Sequence, residues 1–248
     1  MCSYFKMVKK VSHYGQYCPL ALAAEVICER WNLLILRRII DGCHRFNQIH
    51  QGVPKISATL LSKKLLALET CGLIEKKPAI EGRGHDYEPT PACLELEPIT
   101  NSIAVWGQRW AREMTASDFD PEFLLFSMHR RLETSRMPQG RTVIAFRFTA
   151  APKHCNRFWL VHCDGVVEMC LKDPGYPADV YVKSNLRRFI EAWRGIRQLD
   201  TEVRSGAIKV HGPTKLVRAF PSWLMLSAYA DTVRVRLGRE AKLQSDIR

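Results

Sequence analysis

The sequence lacks any run of about 18 uninterrupted apolar residues, so no helical membrane span and no stable membrane insertion are expected. It lacks G-x-S-x-G, H-E-x-x-H, a phosphate-binding glycine loop after a strand, and any His/Cys cluster at metal-ligand spacing. The expectation is therefore a protein that is not an enzyme and holds no cofactor and no metal. The nine cysteines are odd in number, scattered and without a C-x-x-C pair. That pattern argues against a disulfide framework and fits a reducing, cytoplasmic setting. The first residues, Met1-Cys2-Ser3-Tyr4-Phe5-Lys6, have neither the apolar core nor the small-residue cleavage site of a secretory leader. The eight histidines are dispersed and read as surface or hydrogen-bonded residues.

Acidic residues are in the minority, 25 against 37 Lys+Arg in 248 residues, for a formal charge of +12. Such an excess favours an anionic partner, nucleic acid or a membrane surface. Its distribution qualifies the argument, because residues 1–115 hold 15 basic against 11 acidic side chains and residues 116–248 hold 22 against 14. Within Arg45–His85 the count is 7 against 3, so that segment alone accounts for the surplus of its half.

What is present centres on Phe46–Thr90. A short helix (Phe46–Gln51), a tight turn (Gly52-Val53-Pro54-Lys55), a longer helix (Ser57–Cys71) and two strands around Gly82-Arg83-Gly84 spell a helix-turn-helix followed by a hairpin wing. In the longer helix Leu61, Leu65 and Leu68 fall on one apolar stripe. Ser57, Thr59, Ser62 and Lys63 lie towards the other side near its start, the positions that reach base edges in a major groove. Arg45, Lys55, Lys64, Lys76, Arg83 and His85 are the candidates for phosphate and wing contacts, and the double-stranded DNA they would meet is the expected partner.

Around this core, residues 1–16 form a basic arm, a helix runs from Cys18-Pro19 to about Glu29 with Leu22, Ala23 and Val26 inward, and a buried helix spans Trp31–Ile40. Pro91 starts a helix to about Arg112. Its Leu94, Ile99, Ile103, Trp106 and Trp110 make an apolar face that a small domain cannot bury alone, and pairing with a second subunit would bury it. Cys18, just ahead of a helix N-terminus, is a candidate redox thiol or simply a small half-buried cap residue.

Cys18-Pro19-Leu20, Glu29-Arg30-Trp31-Asn32-Leu33-Leu34-Ile35-Leu36-Arg37, Arg45-Phe46, Ile56-Ser57, Leu61-Ser62, Leu65-x-x-Leu68-Glu69, Gly72-Leu73-Ile74 and Tyr87-x-x-Thr90-Pro91 together resemble the HxlR-type, MarR-related winged-helix regulators over about residues 17–112. The resemblance implies a dimeric DNA-binding regulator whose terminal helices pair. In several such regulators the cysteine matching Cys18 senses oxidants or electrophiles. One departure is Lys63 or Lys64 where members usually carry Arg; a Lys is a point charge rather than a bidentate fork.

The second half begins with a polar link, residues 115–120, and a helix over Pro121–Glu133 with Phe123, Leu124, Phe126 and Leu132 on or near its buried side. Strands are expected at Arg141–Thr149, Arg157–Cys163, Val166–Lys172, Asp179–Lys183 and Ala207–His211, with Asp164-Gly165 as a two-residue hairpin turn. Ser184 caps a helix carrying Leu186, Phe189, Ile190, Trp193 and Ile196, and Pro221–Leu226 is a final helix. Ala178-Asp179-Val180-Tyr181-Val182-Lys183-Ser184-Asn185, Gly206 to Gly212 and Leu216 to Pro221 resemble a sterol-carrier-protein type domain. That resemblance implies an apolar tunnel between sheet and helices for an acyl chain or other apolar ligand, with Phe189, Trp193, Phe220, Trp223 and Leu224 as candidate lining; the bland alternative is that these five simply fill a core.

The expected architecture is thus a mainly α winged helix-turn-helix N-terminal domain (17–114) plus an α+β sterol-carrier-protein-like C-terminal domain (121–230), between an arm (1–16) and a basic tail or edge strand (231–248). The expected function is a homodimeric, sequence-specific DNA-binding transcriptional regulator whose second domain senses an apolar small molecule. The rivals are a lipid-binding or lipid-transfer protein that uses the winged helix for dimerisation, and a thiol-based redox regulator acting through Cys18.

Overall fold

The structure, a computed structural model, describes residues 13–80 and 82–235. Most of the expected arm, residues 1–12, and residues 236–248 of the expected tail lie outside that range. The chain forms two units, the first ending at Ile103 and the second starting at Ala104.

The first unit contains α1 (Pro19–Ile27), α2 (Asn32–Ile40), α3 (Phe46–Gly52), α4 (Ala58–Thr70), a hairpin of β1 (Ile74–Pro78) and β2 (His85–Pro89), α5 (Pro91–Leu94) and the start of α6 (Leu96–Trp110). Its core joins Ile35, Leu36 and Ile39 of α2 to Ile49 of α3, Leu61, Leu65 and Leu68 of α4, and Ile74 of β1. These are the positions that a 3.6-residue period places on one side of each helix. The Cys18–Glu29 helix is shorter than expected and its inward face is not sealed: Leu22 and Ala23 are exposed and no residue of α1 is buried. Among the described residues of the unit, α1 has no second layer to cover it. Trp31 does not begin α2 but caps it, with φ +80°, a left-handed backbone that is costly for a bulky side chain. The Arg30 guanidinium stacks 5.2 Å from the Trp31 ring centroid. Asn32 is buried and its amide donates to the Val26 carbonyl at 2.6 Å, tying α1 to α2. The helix expected from Pro91 to Arg112 is interrupted at Glu95, giving α5 and α6.

The second unit holds the rest of α6, α7 (Pro121–His129), β3 (Arg141–Thr149), β4 (Arg157–Cys163), β5 (Val166–Cys170), β6 (Val180–Asn185), α8 (Leu186–Trp193), α9 (Leu199–Arg204), β7 (Lys209–His211) and α10 (Thr214–Trp223). Residues 116–118, expected to link two domains, make a single 3₁₀ turn closed by reciprocal bonds between Thr115 and Asp118. The five strands are ordered β5-β4-β3-β6-β7, antiparallel except for the parallel pair β3–β6. Asp164 and Gly165, both at positive φ, form the expected tight turn between β4 and β5.

Helices α7, α8, α9 and α10 pack on one face of this sheet through a single core that includes Leu124, Leu125, Phe146, Phe148, Phe158, Val182, Phe189 and Phe220. Phe123 is exposed, and Leu125 is buried with Leu124 in the core against the sheet; Asp120 caps the start of α7 by accepting from the Glu122 and Phe123 amides. The α8 cap is Asn185, whose side chain accepts from the Arg188 amide; Ser184 is still in the strand. α10 begins seven residues ahead of the expected Pro221 and contains that proline. Residues 231–235 are irregular, and Arg234 donates to the Gln108 and Ala111 carbonyls, satisfying groups left open at the end of α6.

Candidate functional site

α4 is built to present one face and bury the other. The Ser57 hydroxyl accepts from the Leu60 amide and starts the helix. Leu61, Leu65 and Leu68 seat it. Gly72, at φ +72°, ends it, with the Gly72 and Leu73 amides donating to the Glu69 and Leu68 carbonyls in a Schellman closure. The turn before it is pinned by buried Val53 and Ile56 and by the His50 ring, 2.8 Å from the Ile56 carbonyl.

Ser57, Thr59, Ser62 and Lys63 are all exposed. Thr59, Ser62 and Lys63 stand at i, i+3 and i+4 and so share one side of the helix. Ser57 spends a lone pair on its cap and keeps its proton to donate. Ser62 donates to the Ala58 carbonyl at 3.0 Å and keeps lone pairs to accept. The surface thus offers a donor, an acceptor, an adaptable hydroxyl and an ammonium within two turns.

Lys64 is placed otherwise. Its ammonium lies 2.5 Å from a Glu29 carboxylate oxygen and the side chain is largely covered, so it clamps α4 to the segment after α1. Arg45 is also structural, with Nε 2.6 Å from the buried Asp86 carboxylate and Nη1 donating to the Arg83 carbonyl. Asp86 in turn accepts from the Ile80 amide, and Tyr87 donates through its amide to the His44 carbonyl at 2.8 Å. Arg45 and Asp86 therefore form an isolated antiparallel bridge beside the two-stranded wing, which periodicity did not signal because the partners are far apart in the chain.

Lys55, Lys76, Arg83 and His85 are exposed. Arg83 sits at the hairpin tip between Gly82 (φ +73°) and Gly84 (φ +109°), and the Ala79 amide donates to the Gly84 carbonyl to close the turn. Lys77, absent from the expected contact set, lies 2.9 Å from Glu75, and that hydrogen bond and charge raise its pKa.

Phe189, Trp193, Phe220, Trp223 and Leu224 are brought together, and all five are buried in the layer between the sheet and its helices. Neighbouring rings are in contact: Phe148–Phe189 at 5.2 Å and Phe220–Trp223 at 6.2 Å between centroids, with the Trp223 indole donating to the Arg136 carbonyl at 3.1 Å. Cys18 is exposed at the N-cap of α1. Cys93 is fully buried, and burial pushes its thiol up to about 11.

Comparison with known proteins places residues 26–115 in a family. The family model for the HxlR-like helix-turn-helix matches residues 26–115. The HTH-type transcriptional regulator YvaP of Bacillus subtilis is 29% identical over 112 residues, 44% of this chain and 96% of that protein. An HTH-type transcriptional regulator of Methanothermobacter thermautotrophicus is 30% identical over 95 residues, 38% of this chain and 72% of that protein. The reduced form of the transcriptional regulator YodB from B. subtilis shares 25% identity over 40% of this chain, with a TM-score of 0.35. Through residues 26–115, this chain belongs to the HxlR-like helix-turn-helix family.

Proposed function

We propose that this protein is a transcription regulator that binds double-stranded DNA as a homodimer, reads bases with Ser57, Thr59, Ser62 and Lys63, and carries no catalytic activity. The observation that carries the reading is the polar face of α4, exposed along its first two turns while the opposite stripe is anchored in the core. Lys55, Lys76, Arg83 and His85 would hold phosphates on either side of it. The dimer is supported by α5 and α6, where Leu94, Ile99, Ile103, Trp106 and Trp110 are between 45% and 62% exposed. Two paired recognition helices would meet half-sites about 34 Å apart.

The second unit is proposed as the sensing module. An apolar ligand would enter the layer between sheet and helices by parting Phe189, Trp193, Phe220, Trp223 and Leu224, so binding it would require that core to open. Its effect on DNA would arise from a change in the spacing of the recognition helices.

The test is duplex binding across a salt series after selecting bound sequences from a random pool. Lys63→Ala is expected to remove preference for the selected sequence. Arg83→Ala is expected to weaken selected and random duplexes alike and to reduce the salt slope by about one. Lys64→Ala is expected to leave both quantities in place. Unchanged binding for Lys63→Ala and Arg83→Ala would overturn the assignment.

A further inference from the structure

Helices cover one face of the second unit's sheet, and the other face is different in chemistry. Phe146, Phe158 and Val182 point to the core, so their neighbours Arg147, Ala145, Arg157, Trp159, Tyr181 and Lys183 point away from it. The strand register sets Arg157 beside Arg147, Arg147 beside Lys183 and Lys183 beside Lys209, one basic row across β4, β3, β6 and β7. At about 4.8 Å per strand the row is about 14 Å long. In the next row, Ala145 lies between Trp159 and Tyr181.

Topology then makes a wall. β5 is the edge strand, while β6, its successor in the chain, pairs with β3 on the far side of β4. The connection has to cross the sheet, and Asp173, Gly175, Tyr176, Pro177 and Ala178 line a cleft on the open face. Two contacts fix it: the Arg141 guanidinium stacks 3.8 Å from the Tyr176 ring centroid, and Asp179 accepts from the Val143 amide at 2.8 Å. The cleft encloses about 730 Å³, and Arg147, Arg157, Lys183, Trp159 and Tyr181 also line it. Among the described residues, none of the three cations has an ion-pair partner within 4.0 Å.

We propose that this cleft binds a small planar aromatic anion, its ring against Trp159 and Tyr181 over Ala145 and its anionic group held by Arg147, Arg157 and Lys183. A guanidinium fork suits a planar carboxylate, and aromatic walls suit a flat ring. The volume fits a small molecule, whose sites run to about 300–1,000 Å³. The crossing connection closes one side and brings the Asp173 carboxylate to the wall, which disfavours an extended polyanion continuing past the basic row. Ala145 matters by its size, since a larger side chain between Trp159 and Tyr181 would occupy the space for the ring. The cleft lies on the opposite side of the sheet from Phe189, Phe220 and Trp223, so it is separable from an apolar site in the core, and it uses no residue of α4 or the wing.

The full chain is titrated with 2-naphthoate, followed by tryptophan fluorescence and calorimetry, alongside the neutral 2-naphthalenemethanol and the non-aromatic cyclohexanecarboxylate. One saturable site per chain is expected, with both controls weaker by about tenfold or more, as expected when a charged hydrogen-bonded contact or the ring's stacking is removed. The double variant Arg147→Gln/Arg157→Gln and, separately, Ala145→Leu are each expected to lose about tenfold or more while keeping the melting transition of the parent protein. The proposal is overturned if 2-naphthoate shows no saturable binding up to its solubility, if the neutral alcohol binds equally well, or if either variant binds like the parent. It is also overturned if random-sequence duplex binding, rather than naphthoate binding, is lost in the double variant, which would make the face a nucleic-acid contact.

Discussion

Lys63 and Lys64 are adjacent in the chain and opposite in circumstance. One projects from the exposed side of α4 and the other is held by Glu29, so identity alone does not decide which lysine meets DNA. The same holds for the cysteines. Cys93 is buried with its thiol raised to about 11, so at pH 8 only a small fraction is thiolate, whereas Cys18 is open to solvent. Iodoacetamide labelling of the native protein at that pH, read by peptide mass spectrometry, is expected to modify Cys18 well before Cys93. Equal labelling would mean that the first unit opens around α5. A Cys18→Ser variant that keeps its response to peroxide or quinone would remove the thiol-switch alternative.

At the scale of elements, α4 is held by three leucines rather than by its caps alone. Leu65→Ala removes a side chain only 1% exposed and is expected to cost about 2–5 kcal/mol in denaturant titrations. Ser57→Ala is expected to cost about 0.5–2 kcal/mol. If Leu65→Ala cost no more than the cap, the leucine stripe would not be what seats the helix. α8 answers to pH instead. Burial alone pushes the Glu191 carboxyl up, but hydrogen bonds from Arg187 and Arg197 outweigh it and leave its pKa below the ordinary carboxylate value. A depressed pKa means that the unfolded state binds the proton first. The contribution is therefore present above the unfolded value and lost as pH falls through the folded one. Comparing unfolding free energies at neutral pH and in acid, Glu191→Gln is expected to lose stability less steeply than the parent protein; parallel losses would contradict the linkage.

For the whole molecule, the question is what covers the apolar side of α6. Ile99, Ile103, Trp106 and Trp110 recur at i, i+4, i+7 and i+11, one continuous stripe that stays exposed among the described residues of the single chain. Trp106→Glu is expected to shift the protein from dimer to monomer in sedimentation velocity, with operator affinity falling as the two half-sites are no longer bound together. A parent protein that is already monomeric at micromolar concentration would sink the dimer and, with it, the half-site spacing.

The sequence alone determined the features governed by local period and turn chemistry. The leucine stripe of α4, the wing around Gly82-Arg83-Gly84 and the Asp164-Gly165 hairpin all follow from neighbours within a turn of helix or two residues of strand. The tertiary structure decided what distant residues do to one another. It gave Lys64 to Glu29 and Arg45 to Asp86, turned Phe123 outward and Leu125 inward, and packed Phe189, Phe220 and Trp223 into one core. It also routed residues 171–179 across the sheet, which no local pattern encodes, because strand order is fixed only when β6 pairs with β3 instead of β5. The basic row and the cleft beside it exist through that pairing, since register across four strands is what brings Arg157, Arg147, Lys183 and Lys209 into line.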